Sequence, residues 1–279
     1  MSSPIVSTKW LAERLLDPSI KIIEVSAKQS DEASYGKEHI PGAINFWWKD
    51  LCWHETDRQF VTPEQLAQRL GDVGISDKDR LVLYGEPVQY GTYAFWALTM
   101  AGHPNLMVLD GGRGKWMTEN FPTTISVPEN KTAEYKIQAP NEWMRLGRDN
   151  VRDNLTKGGR FLLDVRSPEE YSGERVMEHG QFDHGAERGG RIPGAKHLFF
   201  KDLINDDDTF KSAEELKAKF NEVGADPTKV DEIAVYCRLS HRASLAWTAM
   251  TYILGYEGVK IYDGSWTEWG SIVGFPVEK

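Results

Sequence analysis

The chain carries the same sequence pattern twice. Ile-Pro-Gly-Ala occurs at 40–43 and again at 192–195, and each copy leads through an aromatic pair into Lys-Asp-Leu, which ends at Leu51 and Leu203. Three further matches follow in the same order, all at an offset of 152 or 153 positions. Solenoid repeats are much shorter, about 20–50 residues. The repeat therefore predicts a duplicated domain, which agrees with a length of 279 residues and roughly 150 residues per domain.

Both halves predict the same alternation of strands and helices. The predicted strands are 22–25, 80–84 and 106–109 in the first half and 161–165, 232–236 and 259–262 in the second. Helices are predicted after the N-cap residues Thr62 and Ser212 and over 93–100 and 244–254. The second strand of each half is almost wholly apolar, as expected when both sheet faces are covered. The pattern predicts an α/β fold in which each domain is a mainly parallel sheet flanked by helices on both faces.

The predicted domains are 1–125 and 145–279, with a linker at 126–144. Acidic residues number 42 against 33 basic ones, and the net charge of −9 argues against nucleic acid or an anionic membrane as partner. No apolar run is long enough to span a membrane, and the opening residues do not resemble a secretory signal. With only Cys52 and Cys237, a disulfide framework and a Cys₄ metal site are excluded, so a reducing, cytoplasmic location is expected.

The two halves differ at two places. The second half has a polar, glycine-containing insertion at 172–190, between Tyr171 and Ile192, which predicts a loop bordering a functional cleft. In addition, Gly85 stands where the second half has Cys237. The first domain is therefore expected to lack a nucleophile.

Cys237 follows a predicted buried strand and precedes a helix by a few residues, in the segment Cys-Arg-Leu-Ser-His-Arg. In parallel α/β sheets, ligands bind at this end of the strands. Loop amides, the helix dipole and the cations of Arg238 and Arg242 would all favour the nucleophilic thiolate. Cys52 lies between Leu51 and Trp53 and is interpreted as a core residue.

Four motifs together resemble the two-domain rhodanese-type sulfurtransferases, which include thiosulfate and 3-mercaptopyruvate sulfurtransferases. They are Tyr-Gly-Lys-Glu-His-Ile-Pro-Gly-Ala at 35–43, Asp-Val-Arg at 164–166, the loop 237–242 and Tyr-Asp-Gly-Ser-Trp-Thr-Glu-Trp at 262–269. The resemblance spans nearly the whole chain. It implies two tandem rhodanese-like domains, of which only the second is catalytic.

The resemblance also implies a ping-pong transfer of sulfane sulfur through a Cys237 persulfide, without metal or organic cofactor. The implied partners are a small-molecule sulfur donor and a thiophilic acceptor, which is cyanide, a thiol or a protein. The implied substrate-binding residues are those of the loop, Arg238, Leu239, Ser240, His241 and Arg242. A basic residue after the cysteine is typical of the thiosulfate type, whereas mercaptopyruvate-preferring members have Gly-Ser-Gly. Mercaptopyruvate remains the alternative donor.

Four further residues are supporting candidates, two from a departure from the family pattern and two from the Asp-Val-Arg motif. Some members have a substrate-binding arginine where this chain has Glu170, so Arg188 and Arg191 of the insertion are considered as anion contacts. Arg166 is expected either to bind an anion or to form an ion pair with Glu169 or Glu170. Asp164 is expected to anchor backbone amides.

The remaining candidates are weaker. His241 is considered as a proton carrier, and His179 and His184 as metal ligands whose irregular spacing argues against a site. Two rival functions stay open: a cysteine-based phosphatase or arsenate reductase, and a non-enzymatic sulfur-carrier or binding module. Such phosphatases place arginine six positions after the cysteine, where this chain has Ala243.

Overall fold

A computed structural model describes residues 3–29, 34–129, 131–177 and 185–279. The chain forms two compact units. One consists of Met1–Glu142 with Asp206–Thr209, and the other of Trp143–Asn205 with Phe210–Lys279. The repeat in the sequence is therefore a repeat of folded units.

The first unit is built on a five-stranded parallel sheet. Its strands are β1 (Ile5–Val6), β2 (Ile20–Ser26), β3 (Ala43–Trp47), β4 (Arg80–Glu86) and β5 (Leu106–Leu109), in the spatial order β1-β5-β4-β2-β3. Its helices are α1 (Thr8–Ala12), α2 (Trp48–Cys52), α3 (Pro63–Asp72), α4 (Gln89–Met100) and α5 (Gly112–Thr118). A 3₁₀ turn covers Ser34–Gly36.

The second unit repeats this design. Its strands are β6 (Arg145–Leu146), β7 (Arg160–Asp164), β8 (Lys196–His197), β9 (Glu232–Tyr236) and β10 (Val259–Tyr262), in the parallel order β6-β10-β9-β7-β8. Its helices are α6 (Arg148–Asn154), α7 (Pro168–Ser172), α8 (Ala213–Glu222), α9 (His241–Thr248) and α10 (Ser265–Trp269), with a 3₁₀ turn at Phe200–Leu203. A further 3₁₀ turn, Glu142–Met144, spans the sequence boundary between the two units. A π-helical turn, Ala249–Ile253, continues α9. The predicted parallel α/β architecture is confirmed in both units.

Burial and capping explain why these segments adopt these elements. In β4 the consecutive residues 81–85 are buried, and in β9 the residues 233–236 are, so both faces of each central strand are covered. Thr62 and Ser212 cap α3 and α8 through capping boxes, as predicted. No described helix has the length and apolarity that a membrane crossing requires.

In each unit the central strand of the sheet, β4 or β9, ends near the middle of the edge formed by the carboxyl ends of the strands. In the second unit, β9 lies between β10 and β7, so the chain leaves β9 where the strand order reverses direction. Clefts form at such switch points, outside the carboxyl ends of the strands. The residue that follows β9 is Cys237.

Candidate active site

Cys237 is fixed by its backbone at the carboxyl end of β9. Its N–H donates to Oγ of Ser265 at 3.3 Å, and its carbonyl oxygen accepts from the N–H of Trp266 at 2.9 Å. Ser265 in turn donates through Oγ to the carbonyl oxygen of Tyr262 at 2.9 Å. Cys237 itself is 1% exposed. The chain after β10 thus holds the start of the cysteine loop in place.

Ser240 makes the turn from this loop into α9. Its φ is +72°, in the left-handed region that favours glycine. The Ser240 hydroxyl donates to the carbonyl oxygen of Asp263 at 2.7 Å, and the residue is fully buried. The predicted strand–turn–helix path is therefore present without glycine, because this side-chain hydrogen bond stabilises the strained residue.

The loop presents backbone donors at the N-terminus of α9. Within the described residues, the amide N–H groups of Leu239, Ser240, Arg242 and Ala243 donate to no protein acceptor. Ser240 and Ala243 are fully buried, and a buried N–H group is costly unless it has an acceptor. Such donors, together with the positive end of the helix dipole, form a site for an anionic group.

The two loop arginines have different surroundings. Arg242 forms a two-pronged ion pair with Glu170, with N–O distances of 2.6 and 2.9 Å. Burial lowers the pKa of Arg242, but the hydrogen bond and the charge of Glu170 raise it more, so the guanidinium is charged. Arg238 is half-buried and lies against the insertion: a Cβ added at Gly185 would be 2.8 Å from its Nη1.

Asp164 and Arg166 form a buried ion pair. Arg166 donates to both carboxylate oxygens of Asp164 at 2.6–3.1 Å and to the carbonyl oxygen of Gly190, and neither charged side chain is exposed. Asp164 also accepts from the backbone N–H of Arg166 at 3.0 Å, so it anchors an amide as expected. Arg166 does not form the predicted ion pair with Glu169 or Glu170. Its guanidinium pairs instead with Asp164, the last residue of β7. The Nη1 of Arg166 is buried and has no hydrogen-bond partner among the described residues.

Arg188 and Arg191 also have structural partners. The Arg188 guanidinium donates to the carbonyl oxygens of Trp269, Gly270, Ile272 and Phe275 at 2.8–3.0 Å. Arg191 pairs with Glu278, and its guanidinium lies 4.5 Å from the Tyr171 ring centroid. Both arginines therefore tie the end of the insertion to other parts of the second unit.

The other candidates are placed as follows. His241 is buried and begins α9, and Leu239 is half-buried in the loop. His179 and His184 lie outside the described residues, as do 178–184 of the insertion. Among the described residues, no cluster of three or more His, Cys, Asp or Glu could hold a metal ion. Cys52 is a buried thiol whose pKa burial raises far above its usual value, which is what a core residue requires.

The matching position in the first unit has no space for a side chain. A Cβ added at Gly85 would lie 2.6 Å from the backbone nitrogen of Gly91, 3.0 Å from Cβ of Tyr90 and 3.1 Å from the carbonyl oxygen of Pro87. Two of these atoms belong to the backbone, so they cannot move aside by changing rotamer. At the position of Gly85 the first unit thus has neither a thiol nor the space for one.

Two of the residues around Cys237 were not predicted from the sequence. Ser265 lies in the 262–269 motif, so that motif gave an indirect signal for it. Glu170 was noted from the sequence, but its pairing with Arg242 was not, because the two residues lie 72 positions apart. Only the fold brings this pair together.

Comparison with known proteins agrees with this arrangement. The family described as "Rhodanese-like domain" matches residues 7–119 and 148–272. "Sulfur carrier protein TtuD" of Thermus thermophilus is 41% identical over 99% of this chain and 96% of its own length. "Putative thiosulfate sulfurtransferase" of Haloferax volcanii is 40% identical over 99% and 96%.

Solved structures show the same fold. An anaerobic ergothioneine biosynthesis enzyme from Chlorobium limicola, solved with trimethyl histidine, has a TM-score of 0.85 and 25% identity over 99% of this chain and 70% of that chain. The four sequence motifs, the two parallel sheets and these matches all lead to the same family. The chain belongs to the rhodanese-like family and consists of two rhodanese-like domains in tandem.

Proposed function

We propose that this protein is a thiosulfate sulfurtransferase that carries the transferred sulfur on Cys237. The Cys237 thiolate attacks the outer sulfur of thiosulfate, a sulfur–sulfur bond forms, and the bond to the sulfonate group breaks, with sulfite as the leaving group. The resulting persulfide anion then gives its outer sulfur to a thiophilic acceptor. With cyanide the products are thiocyanate and the free thiolate. Neither step requires a metal or an organic cofactor.

The observation that carries this proposal is the surroundings of Cys237. Amide donors of the loop provide hydrogen bonds for the anionic outer sulfur of a persulfide. The cations of Arg238 and Arg242 lie on the same short loop and suit the oxygens of a sulfonate, because a guanidinium can donate two parallel hydrogen bonds. In this proposal Leu239 and Ser240 supply amide donors, and His241 shapes the loop where α9 begins.

The other charged residues have supporting roles in the proposal. The buried Asp164–Arg166 pair keeps the end of β7 rigid beside the loop. Arg188 and Arg191 hold the insertion and do not contact the donor. The first domain takes no part in sulfur transfer, since Gly85 offers no thiol. Cys52 and Cys237 are both unpaired thiols, which fits the proposed reducing, cytoplasmic setting.

Donor and acceptor distinguish this proposal from its alternatives. Mercaptopyruvate has one carboxylate and would use the two loop cations less fully than the thiosulfate dianion does. For the acceptor, the name of the Thermus relative favours sulfur delivery to a partner molecule, and a thiol or a protein then replaces cyanide. A phosphatase reaction is disfavoured because Ala243 stands where such enzymes have their arginine.

Steady-state turnover tests the proposal. Purified protein is assayed for thiocyanate formation from cyanide with thiosulfate or mercaptopyruvate as donor, and for hydrolysis of an aryl phosphate. The expected result is catalysis with both sulfur donors, with the larger kcat/KM for thiosulfate and no phosphate release. Aryl phosphate turnover at a rate comparable to that of thiosulfate would overturn the proposal.

A further inference from the structure

Glu170 is a buried carboxylate that the proposed reaction does not use directly. It lies in α7 and its side chain has no exposed surface. One carboxylate oxygen accepts from the N–H of Ser167 at 3.0 Å, and the Glu170 N–H donates to the Ser167 hydroxyl at 3.3 Å. This capping box fixes the Glu170 side chain at the first turn of α7.

The same carboxylate binds the last residue of the cysteine loop. Nη1 of Arg242 lies 2.6 Å from one oxygen of Glu170, and Nη2 lies 2.9 Å from the other. The Arg242 side chain is 11% exposed. A fork-to-fork pair of this kind sets both the place and the plane of the guanidinium.

We infer that Glu170 is a positioning residue that holds the guanidinium of Arg242, the last residue of the Cys237 loop, in place for the sulfur donor, an inference that rests on the proposed sulfurtransferase function. Alone, an arginine side chain has many rotamers, and ordering it has an entropic cost at every binding event. Glu170 removes that cost in advance, because the guanidinium is already aligned before the donor arrives.

Electrostatics of the pair support this inference. Burial raises the pKa of Glu170, but the hydrogen bond and charge of Arg242 lower it more, so the carboxylate is ionised. Removing one partner of a buried ion pair leaves the other charge uncompensated and is strongly destabilising. Without Glu170, the Arg242 guanidinium would lose the two hydrogen bonds that fix it.

A double-mutant cycle tests the inference. Glu170→Gln, Glu170→Ala, Arg242→Ala and the double variant Glu170→Ala/Arg242→Ala are compared with the matched control Glu169→Gln, whose side chain is exposed. For each, KM and kcat are measured with thiosulfate, and the rate of Cys237 alkylation by iodoacetamide is measured without donor. Melting temperatures identify any variant that has lost its fold.

We expect Arg242→Ala and Glu170→Ala to raise KM for thiosulfate by similar factors, about ten- to a hundred-fold for the loss of a charge-assisted contact, with a smaller change in kcat. In the Arg242→Ala background, Glu170→Ala should change KM less than about twofold, because Glu170 acts through Arg242. Glu170→Gln keeps one hydrogen-bonding oxygen and should lie between wild type and Glu170→Ala. Glu169→Gln should leave KM unchanged.

Two outcomes would overturn the inference: additive effects of the two substitutions on KM, or a folded Glu170→Ala variant with wild-type KM. If the wild-type protein does not turn over thiosulfate, the proposed function fails and alkylation still tests the coupling. In that case, equal changes in alkylation rate for both single variants and the double variant support the pairing role. An alkylation rate that Glu170→Ala leaves at the wild-type value refutes it.

Discussion

A thiol introduced at Gly85 should not create a second sulfur-carrying site. The test is Gly85→Cys in a Cys237→Ser background, so that the first domain has the only loop cysteine. A side chain at this position meets the backbone of Gly91 at 2.6 Å and the carbonyl oxygen of Pro87 at 3.1 Å. Contacts under 3.0 Å force a shift of the backbone, and inserting atoms into a packed interior typically costs about 1–3 kcal/mol.

The assay combines chemical denaturation with intact mass measurement after thiosulfate treatment. We expect the Gly85→Cys change to lower the free energy of unfolding by about 1–3 kcal/mol and to leave the protein without added sulfur. Gly36→Cys is the matched control, since a Cβ there meets nothing within 4 Å; its stability should stay close to that of the parent. A Gly85→Cys variant that gains a sulfur atom from thiosulfate would refute the argument that the first domain is closed by packing.

Three further predictions follow from named contacts. Arg238→Gly should lower kcat/KM for thiosulfate about ten- to a hundred-fold and lower it less for mercaptopyruvate; an unchanged donor ratio contradicts the assigned role. Arg166→Met should reduce the free energy of unfolding by about 3–5 kcal/mol in urea titration, because it leaves Asp164 buried and unpaired; a loss under about 1 kcal/mol would show the pair to be unimportant for folding. Arg242 holds the pKa of Glu170 below its ordinary value of 4.5, so the stabilisation is present above that value and is lost as the pH falls through the folded-state pKa. Glu170→Gln should therefore flatten the acid side of the stability–pH curve, and an unchanged curve contradicts this.

The central part of the fold was predictable because its signals are local. Strands β5, β9 and β10 have the predicted bounds, since each is a short apolar run between turn signals. The edge strands β1 and β6 were not predicted, because each has only two residues and so shows no periodicity. They depend on pairing with β5 and β10, which is a property of the folded sheet.

In the candidate site, too, some features were predictable from the sequence and others were not. Cys237 and its loop were predictable because strand, cysteine, cations and helix follow one another along the chain. The predicted partner of Arg166 was wrong. Several carboxylates lie close to Arg166 in the sequence, and only the folded structure shows that Asp164 is the partner. For Arg188, charge alone suggested an anion site, whereas the fold surrounds its guanidinium with four carbonyl oxygens. The sequence alone does not show whether a basic residue in a loop binds a ligand or backbone carbonyl oxygens.

The most direct test of the account is the location of the transferred sulfur. Wild-type protein, Cys237→Ser and Cys52→Ser are incubated with thiosulfate and analysed by intact mass and by mass spectrometry of their peptides. If Cys237 carries the transferred sulfur, the peptide that contains it gains the mass of one sulfur atom in the wild type and in Cys52→Ser, and Cys237→Ser gains none. Sulfur on Cys52 with Cys237 unmodified would contradict it.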